Sequence, residues 1–393
     1  MKAKKLIALL LTLTLCLALF AACGDNSNNA TNSTPGSNNT SSGNTGKAEY
    51  TLVVVNHDSP TSLGERWLET VLNAIGEESG GRIAFEYNAG GSMYGATETI
   101  DAVADGGADI CWYTTGTYGG VFPISEFINL VGNGVDSAQI GSAVLNTMYN
   151  EIPEVAAEYS RWHVLAIHGT STSPVSTVGT KINTPNDLKG LTLRAAGTIP
   201  TIYVNNLGAN AIGMPTSEVY ESLEKKNIDG MLNDWHNIDC FNLFEPIDYC
   251  LNVNLNETAS GVLMNKDTWD RLPEDLQAIF NKYFASYYAA DMAGYYWDSC
   301  RYWVADEMRD HNVEVYEPTQ EVLDFLFSDE VISKTHQAYI DYLNDKGIDG
   351  QAMYDKCMEI VSRYADDYAH VWDNEFNYTD WDKTPDGYKA IYG

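Results

Sequence analysis

The sequence predicts an α/β fold in two domains braced by one long helix, and three observations carry that prediction. Strand-like and helix-like segments alternate from residue 50 onward and again from residue 184. Alternation of this kind builds sheets covered by helices, with a largely parallel strand order. The chain has 393 residues, more than a single core ordinarily supports. From Pro273 to Asp310 no further proline or clear stop interrupts a helical pattern. A helix of about 38 residues at about 1.5 Å each would reach roughly 57 Å, beyond one domain.

Taken in order, residues 50–56 (YTLVVVN) are β-branched and apolar, as a buried strand requires. After the loop His57-Asp58-Ser59-Pro60-Thr61, residues Leu63, Trp67, Leu68, Val71, Leu72 and Ile75 fall on one helical face. Gly80-Gly81 breaks the chain, 82–87 alternates as a strand, and Ala89-Gly90-Gly91 makes a turn. A helix over 97–104 and a strand over 108–113 follow. This first domain is expected at 48–171 with about 259–298. A second unit begins near residue 172. Thr184-Pro185-Asn186-Asp187 has the order of a helix start, with a Thr cap, Pro at the first helical position and an acid three residues on. Gly190 ends that helix. A strand over 191–196 (LTLRAA), a helix over 200–207 stopped by Gly208, a strand over 211–214, a helix over 217–225 and a strand over 231–233 complete the pattern. The second domain is expected at 172–258 with about 299–370, including helices near 319–327, 330–346 and 350–370. Residues 371–393, with Trp372, Phe376, Tyr378 and Trp381, read as an aromatic-rich tail packed on the body.

The first 22 residues read as a signal peptide. Lys2, Lys4 and Lys5 precede an apolar run over 6–20, too short to span a bilayer comfortably. The run ends in Phe20-Ala21-Ala22-Cys23-Gly24, and small residues before a cysteine resemble a bacterial lipobox. Cys23 is then the lipidated N-terminus of the mature chain, with Phe20 where Leu is usual. Residues 23–47 are mostly Asn, Ser, Thr and Gly. They cannot bury enough apolar surface to offset chain entropy and are expected as a disordered tether. The expected location is the outer face of the cytoplasmic membrane, reached through the lipid anchor.

The sequence carries 23 basic and 54 acidic residues, a net charge of −31. Loss of the three leader lysines leaves 20 against 54, or −34. Such a surface repels nucleic acid and anionic headgroups, and an anionic ligand needs a local cation. Besides Cys23, the mature chain keeps Cys111, Cys240, Cys250, Cys300 and Cys357, with no CxxC and no His-rich spacing. No metal site is therefore expected. Cys240 and Cys250 either pair or, with the others, stay as buried thiols. GxSxG, Walker, HExxH and dinucleotide motifs are lacking and the seven His residues are scattered. Neither an enzyme nor a cofactor is expected.

Ligand-binding features are better represented. Arg194 is the only basic residue between Lys189 and Lys225, and its strand alternates Leu191 and Leu193 against Thr192 and Arg194. A guanidinium is a planar fork that matches a carboxylate; an ordinary surface arginine is the alternative. Asn233, Trp235 and His236 follow a predicted strand end, where open α/β sheets place ligands. A Trp there serves either the core or an apolar wall.

The body resembles the solute-binding subunits of tripartite ATP-independent periplasmic (TRAP) transporters, the DctP family. The resemblance rests on residues 80–107 (GGRIAFEYNAGGSMYGATETIDAVADGG), Phe122-Pro123, 184–197 (TPNDLKGLTLRAAG), 208–230 (GANAIGMPTSEVYESLEKKNIDG) and 269–276 (WDRLPEDL), five blocks in family order. It implies a two-domain, periplasmic-binding-protein-like clamp, hinged by crossing strands and braced by the long helix. It also implies that Arg194 is the carboxylate-binding arginine and Asn233 the ligand-binding asparagine. By position, His57, Tyr113, Thr114 and Thr216 should line the cleft with Trp235 and His236. Pro174 stands where some sialic-acid-binding members carry a second arginine, so their substrate is not carried over. The expected ligand is a small organic acid with one carboxylate: a hydroxy acid, keto acid or aromatic monocarboxylate. The implied partners are the permease subunits of a TRAP transporter, with the binding protein a monomer. A sensory co-receptor serving a kinase or chemoreceptor, or a lipoprotein enzyme, is the alternative.

Overall fold

A computed structural model describes residues 48–285 and 297–364. The leader, Cys23, the tether, Gly294 and the aromatic tail lie outside the described residues. Strands in chain order are β1 Tyr50–Val55, β2 Ile83–Asn88, β3 Ile110–Thr114, β4 His163–Gly169, β5 Val175–Thr177, β6 Thr192–Arg194, β7 Asn210–Ile212, β8 Gly230–Leu232, β9 Tyr249–Leu251, β10 Ala259–Met264 and β11 Glu314–Tyr316.

They form two sheets. Sheet 1 runs β2-β1-β3-β10-β4, and sheet 2 runs β11-β9-β5-β8-β6-β7. In sheet 1, β1 pairs parallel with β2 and β3, but β10 lies antiparallel between β3 and β4. In sheet 2, β6 pairs parallel with β7 and β8, but β5 lies antiparallel between β8 and β9. The largely parallel order expected from the sequence thus holds for part of each sheet. The exceptions have one cause. The chain passes between sheets from β4 to β5 and from β9 to β10. Each strand that arrives this way does so without the crossover helix that a parallel neighbour needs.

The first helix, α1 Leu63–Glu78, starts where the sequence places it. Ser62 caps it by accepting from the Glu65 amide at 3.1 Å, and Leu63, Trp67, Leu68, Val71, Leu72 and Ile75 are buried. The Thr184 start signal works as read, with a capping box in which Asp187 accepts from the Thr184 amide at 2.8 Å, but only a short 3₁₀ turn, Pro185–Leu188, follows. The long helix is present as two segments. One, Glu274–Tyr283, ends at Phe284, whose φ of −101° and ψ of 12° leave the helical path. Phe284 turns into the core edge-on to Trp67. The other segment is Cys300–Asp310, and residues 286–296 between them lie outside the described residues.

One apolar cluster runs from sheet 1 (Leu52, Trp112, Val262) through α1 to Met231, Trp235 and Cys250 of the second sheet region. A second fills the other face of sheet 1, and a third lies against sheet 2. Among the described residues, Cys111, Cys240, Cys250, Cys300 and Cys357 are all buried and form no disulfide, so Cys240 and Cys250 do not pair. Among the described residues no helix is long and apolar enough to cross a membrane.

Candidate functional site

The ends of β3, β6 and β8 converge on a small cavity of about 30 Å³, lined among others by Thr114, Thr117, Arg194, Thr216, Asn233 and Asn256. A neighbouring cavity of about 220 Å³ shares Thr117 and Thr216 and adds His57 and Phe241. The two halves touch backbone to backbone at this cleft. Gly197, at φ +83°, is so close that a Cβ there would sit 3.2 Å from the Gly116 Cα.

Arg194 is the last residue of β6 and is only 3 % exposed, while Leu193 before it packs into the core. Its guanidinium donates from Nε to the Met214 carbonyl at 3.3 Å, and from Nη2 to the same oxygen at 3.2 Å and to Thr216 Oγ1 at 2.9 Å. Nη1 donates to Asn233 Oδ1. Every one of these acceptors is neutral. Burial pulls the Arg194 pKa down to about 10, partly opposed by the charge of nearby Asp234. Asp234 does not neutralise the cation by contact, because its carboxylate caps the next helix, Trp235–Cys240, accepting from the Asn237 amide at 3.0 Å. Asn233 Nδ2 and Asn256 Oδ1, one donor and one acceptor, are buried on the cavity wall without a hydrogen-bond partner. A guanidinium held by neutral oxygens, with a free donor and acceptor beside it, can take an anion that also carries hydrogen-bonding groups.

The structure places Arg194, Asn233, Thr216 and Thr114 around the smaller cavity and His57 beside the larger one. It places three expected residues elsewhere. Tyr113 is fully buried against Phe122 and Tyr159, because β3 is covered on both faces. Trp235 packs in the core rather than forming an apolar wall, since the helix that Asp234 caps begins there and turns it inward. His236 is fully buried and hydrogen-bonds Asp58 Oδ2 through Nε2 at 3.0 Å. Ser173, Asp234, Asn237, Asn256 and Thr258, which also line the cavity, were not read from the sequence. The Asp at the start of a helix and the Ser/Thr-rich stretch around 170–173 were the available signals.

His236 belongs to a second cluster. Asp58, His236 and Cys240 present ligand atoms within 4.8 Å of one another, all buried. Burial raises the Asp58 carboxyl, but the hydrogen bond from His236 and then the charges of His57 and His236 outweigh it and leave its pKa below the ordinary value. Burial lowers His236, but the bond to Asp58 and that carboxylate's charge outweigh it and leave it raised. The pair is an internal ion pair, 178 residues apart in sequence.

These features carry a family assignment. The model of bacterial extracellular solute-binding protein family 7, DctP, matches residues 56–339. The chain belongs to this family. The monocarboxylate 2-oxoacid-binding periplasmic protein of Nostoc sp. is 26 % identical over 230 residues, 56 % of this chain and 62 % of that protein. The chain thus spans less than two thirds of this curated relative's length. A TRAP solute-binding protein of Rhodoferax ferrireducens with copurified benzoate superposes with a TM-score of 0.74 at 22 % identity, covering 81 % of this chain and 99 % of the other. A marine metagenome TRAP protein specific for aromatic acids, bound to 3-hydroxybenzoate, superposes with the same TM-score of 0.74 at 22 % identity and with the same coverage, 81 % and 99 %. These likenesses show the fold, the α/β architecture of two-domain TRAP solute-binding proteins.

Proposed function

We propose that this chain captures a small organic acid outside the cytoplasm and delivers it to the membrane subunits of a TRAP-type transporter. In this reading it is a monomer tethered by a lipid on Cys23, and it binds without chemistry. The observation that carries the reading is Arg194, a buried guanidinium whose hydrogen-bond partners are all neutral. A desolvated cation of this kind is stabilised when a carboxylate joins it. The polar wall supports one carboxylate at Arg194 and a hydroxyl or keto group within reach of Asn233 Nδ2 and Asn256 Oδ1. The names of the relatives, a 2-oxoacid binder and two aromatic-acid binders, fall in the same ligand class.

Capture would proceed by closure of two domains, one built on sheet 1 and the other on sheet 2, about the connections at β4–β5 and β9–β10. The ligand would bridge them and complete the surface that a permease reads. Calorimetry with matched mono- and dicarboxylates, on the wild type and on Arg194→Ala, tests the assignment. Tight monocarboxylate binding that collapses in the variant is expected. Unaltered affinity in Arg194→Ala would sink it.

A further inference from the structure

We propose that Asp58, His236 and Cys240, with His57 beside them, form a site for one zinc-class divalent ion. The sequence gives no hint of it, because the residues come from two distant segments. His57 and Asp58 follow β1, whereas His236 and Cys240 sit four residues apart on the helix after β8. That spacing puts both on one helical face.

Four observations converge. The ligand atoms of Asp58, His236 and Cys240 already lie within 4.8 Å of one another. Zinc bonds of about 2.0–2.3 Å in a tetrahedron separate ligand atoms by roughly 3.3–3.8 Å, so small rotations close the site. Both imidazoles turn Nε2 to the same carboxylate. His236 Nε2 is 3.0 Å from Asp58 Oδ2, and His57 Nε2 is 3.6 Å from Asp58 Oδ1. The second gap is too long for a hydrogen bond, and Asp58 Oδ1 is buried with no partner. It equals the span across a tetrahedral ion.

The helix α1 also leaves room here. A Cβ at Gly64 would stand 3.3 Å from Asp58 Oδ2 and 3.6 Å from His236 Nε2. Aromatic rings close the surroundings, with Trp297 edge-on to His236 at 4.7 Å and Trp112 stacked on His57 at 5.7 Å. In such a dry site the ion's charge must be matched by its ligands. One carboxylate and one thiolate cancel a divalent charge, neutral His236 is the third ligand, and His57 completes four by turning in from Asp58 Oδ1. Sulfur and nitrogen donors select zinc-like ions over calcium or magnesium. Loading releases the Cys240 thiol proton and the proton shared by His236 and Asp58; no electrons move.

The bound ion would join the end of β1 to the helix behind β8, and reach the larger cavity through His57. The test uses the full chain, stripped with chelator and titrated with Zn²⁺ against a chromophoric competitor, then with Co²⁺. One tight equivalent is expected, with a thiolate-to-cobalt absorption band. Cys240→Ser should abolish the band and weaken zinc at least about tenfold, as should His236→Gln if it folds. Arg194→Ala should keep both signals. Zinc should raise the melting temperature of the wild type but not of Cys240→Ser. Absence of a tight equivalent, or several weak equivalents unchanged in Cys240→Ser, as the acidic surface alone would give, overturns the site.

Discussion

Arg194 ends β6 of sheet 2 and Asp58 lies in the loop after β1 of sheet 1; both are buried charges, yet their surroundings differ in kind. Asp58 has a countercharge supplied by the fold, His236 at 3.0 Å. Arg194 has four hydrogen bonds and no charged acceptor among them. A buried ion answered from within contributes to the folded state, and losing its partner is costly. One answered only by dipoles keeps an unspent attraction for an anion. Hydrogen-bond number does not separate the two cases; the formal charge of the acceptor does.

This contrast breaks most visibly at His236. In chelator, His236→Leu leaves the Asp58 carboxylate without its donor and should cost about 3–5 kcal/mol of stability, read from denaturant unfolding. The raised His236 pKa contributes fully below its ordinary value of 6.5 and is lost as pH climbs through the folded value. The depressed Asp58 pKa contributes fully above its ordinary 3.8 and is lost as pH falls through the folded value. The difference between wild type and variant should therefore peak between those two pH values and shrink on either side. An equal difference at all pH values would show that packing, not charge, holds the pair.

Arg194→Ala should do the reverse. Ligand affinity should fall by about 2–5 kcal/mol, while the ligand-free protein loses less stability than His236→Leu does. Calorimetry and unfolding on the same preparation separate the two effects.

Glu126 sharpens the comparison as a third case. Both its carboxylate oxygens are buried with no partner, and burial, then the charge of Glu158, pushes its pKa up to about 8. It therefore stays protonated where the unfolded chain has ionised. Its contribution is present below the ordinary 4.5 and lost as pH rises toward about 8. Glu126→Gln should leave stability unchanged at low pH and raise it by roughly 4 kcal/mol at about pH 8; a pH-independent difference would refute this. The smallest effect is expected at Asn256→Ala. Loss of its acceptor should cost about 1 kcal/mol in affinity for a hydroxy acid and nothing for the matching acid without the hydroxyl.

Much of the fold was legible because its signals are local. The face of α1, the Thr184 capping box and the strand around Arg194 each follow from residues a few positions apart. The antiparallel strands β5 and β10 were not, since their neighbours are decided by where the chain returns. In the site, alternation set Arg194 opposite the leucines of β6 but left an ordinary surface arginine open, and only the family resemblance singled it out. The same logic fails on β3, where all five residues are buried, so nothing local says which side Tyr113 faces. Trp235 takes the core, one of the two places its position allowed, because the helix capped by Asp234 starts there, and the Asp58–His236 pair spans too much sequence to leave a pattern.

The buried cysteines that form no disulfide among the described residues give this protein a built-in clock. Cys111 lies on β3, Cys250 on β9 and Cys357 in the helix Gly350–Tyr364, each sealed from solvent with its pKa pushed up by burial. An external disulfide reagent can reach them only when the surrounding structure opens. The labelling rate at each, read by peptide mass, times the breathing of sheet 1, of sheet 2 and of the helix Gly350–Tyr364 separately. No probe has to be engineered, and slowing of one site by an added acid would map which layer the ligand holds shut.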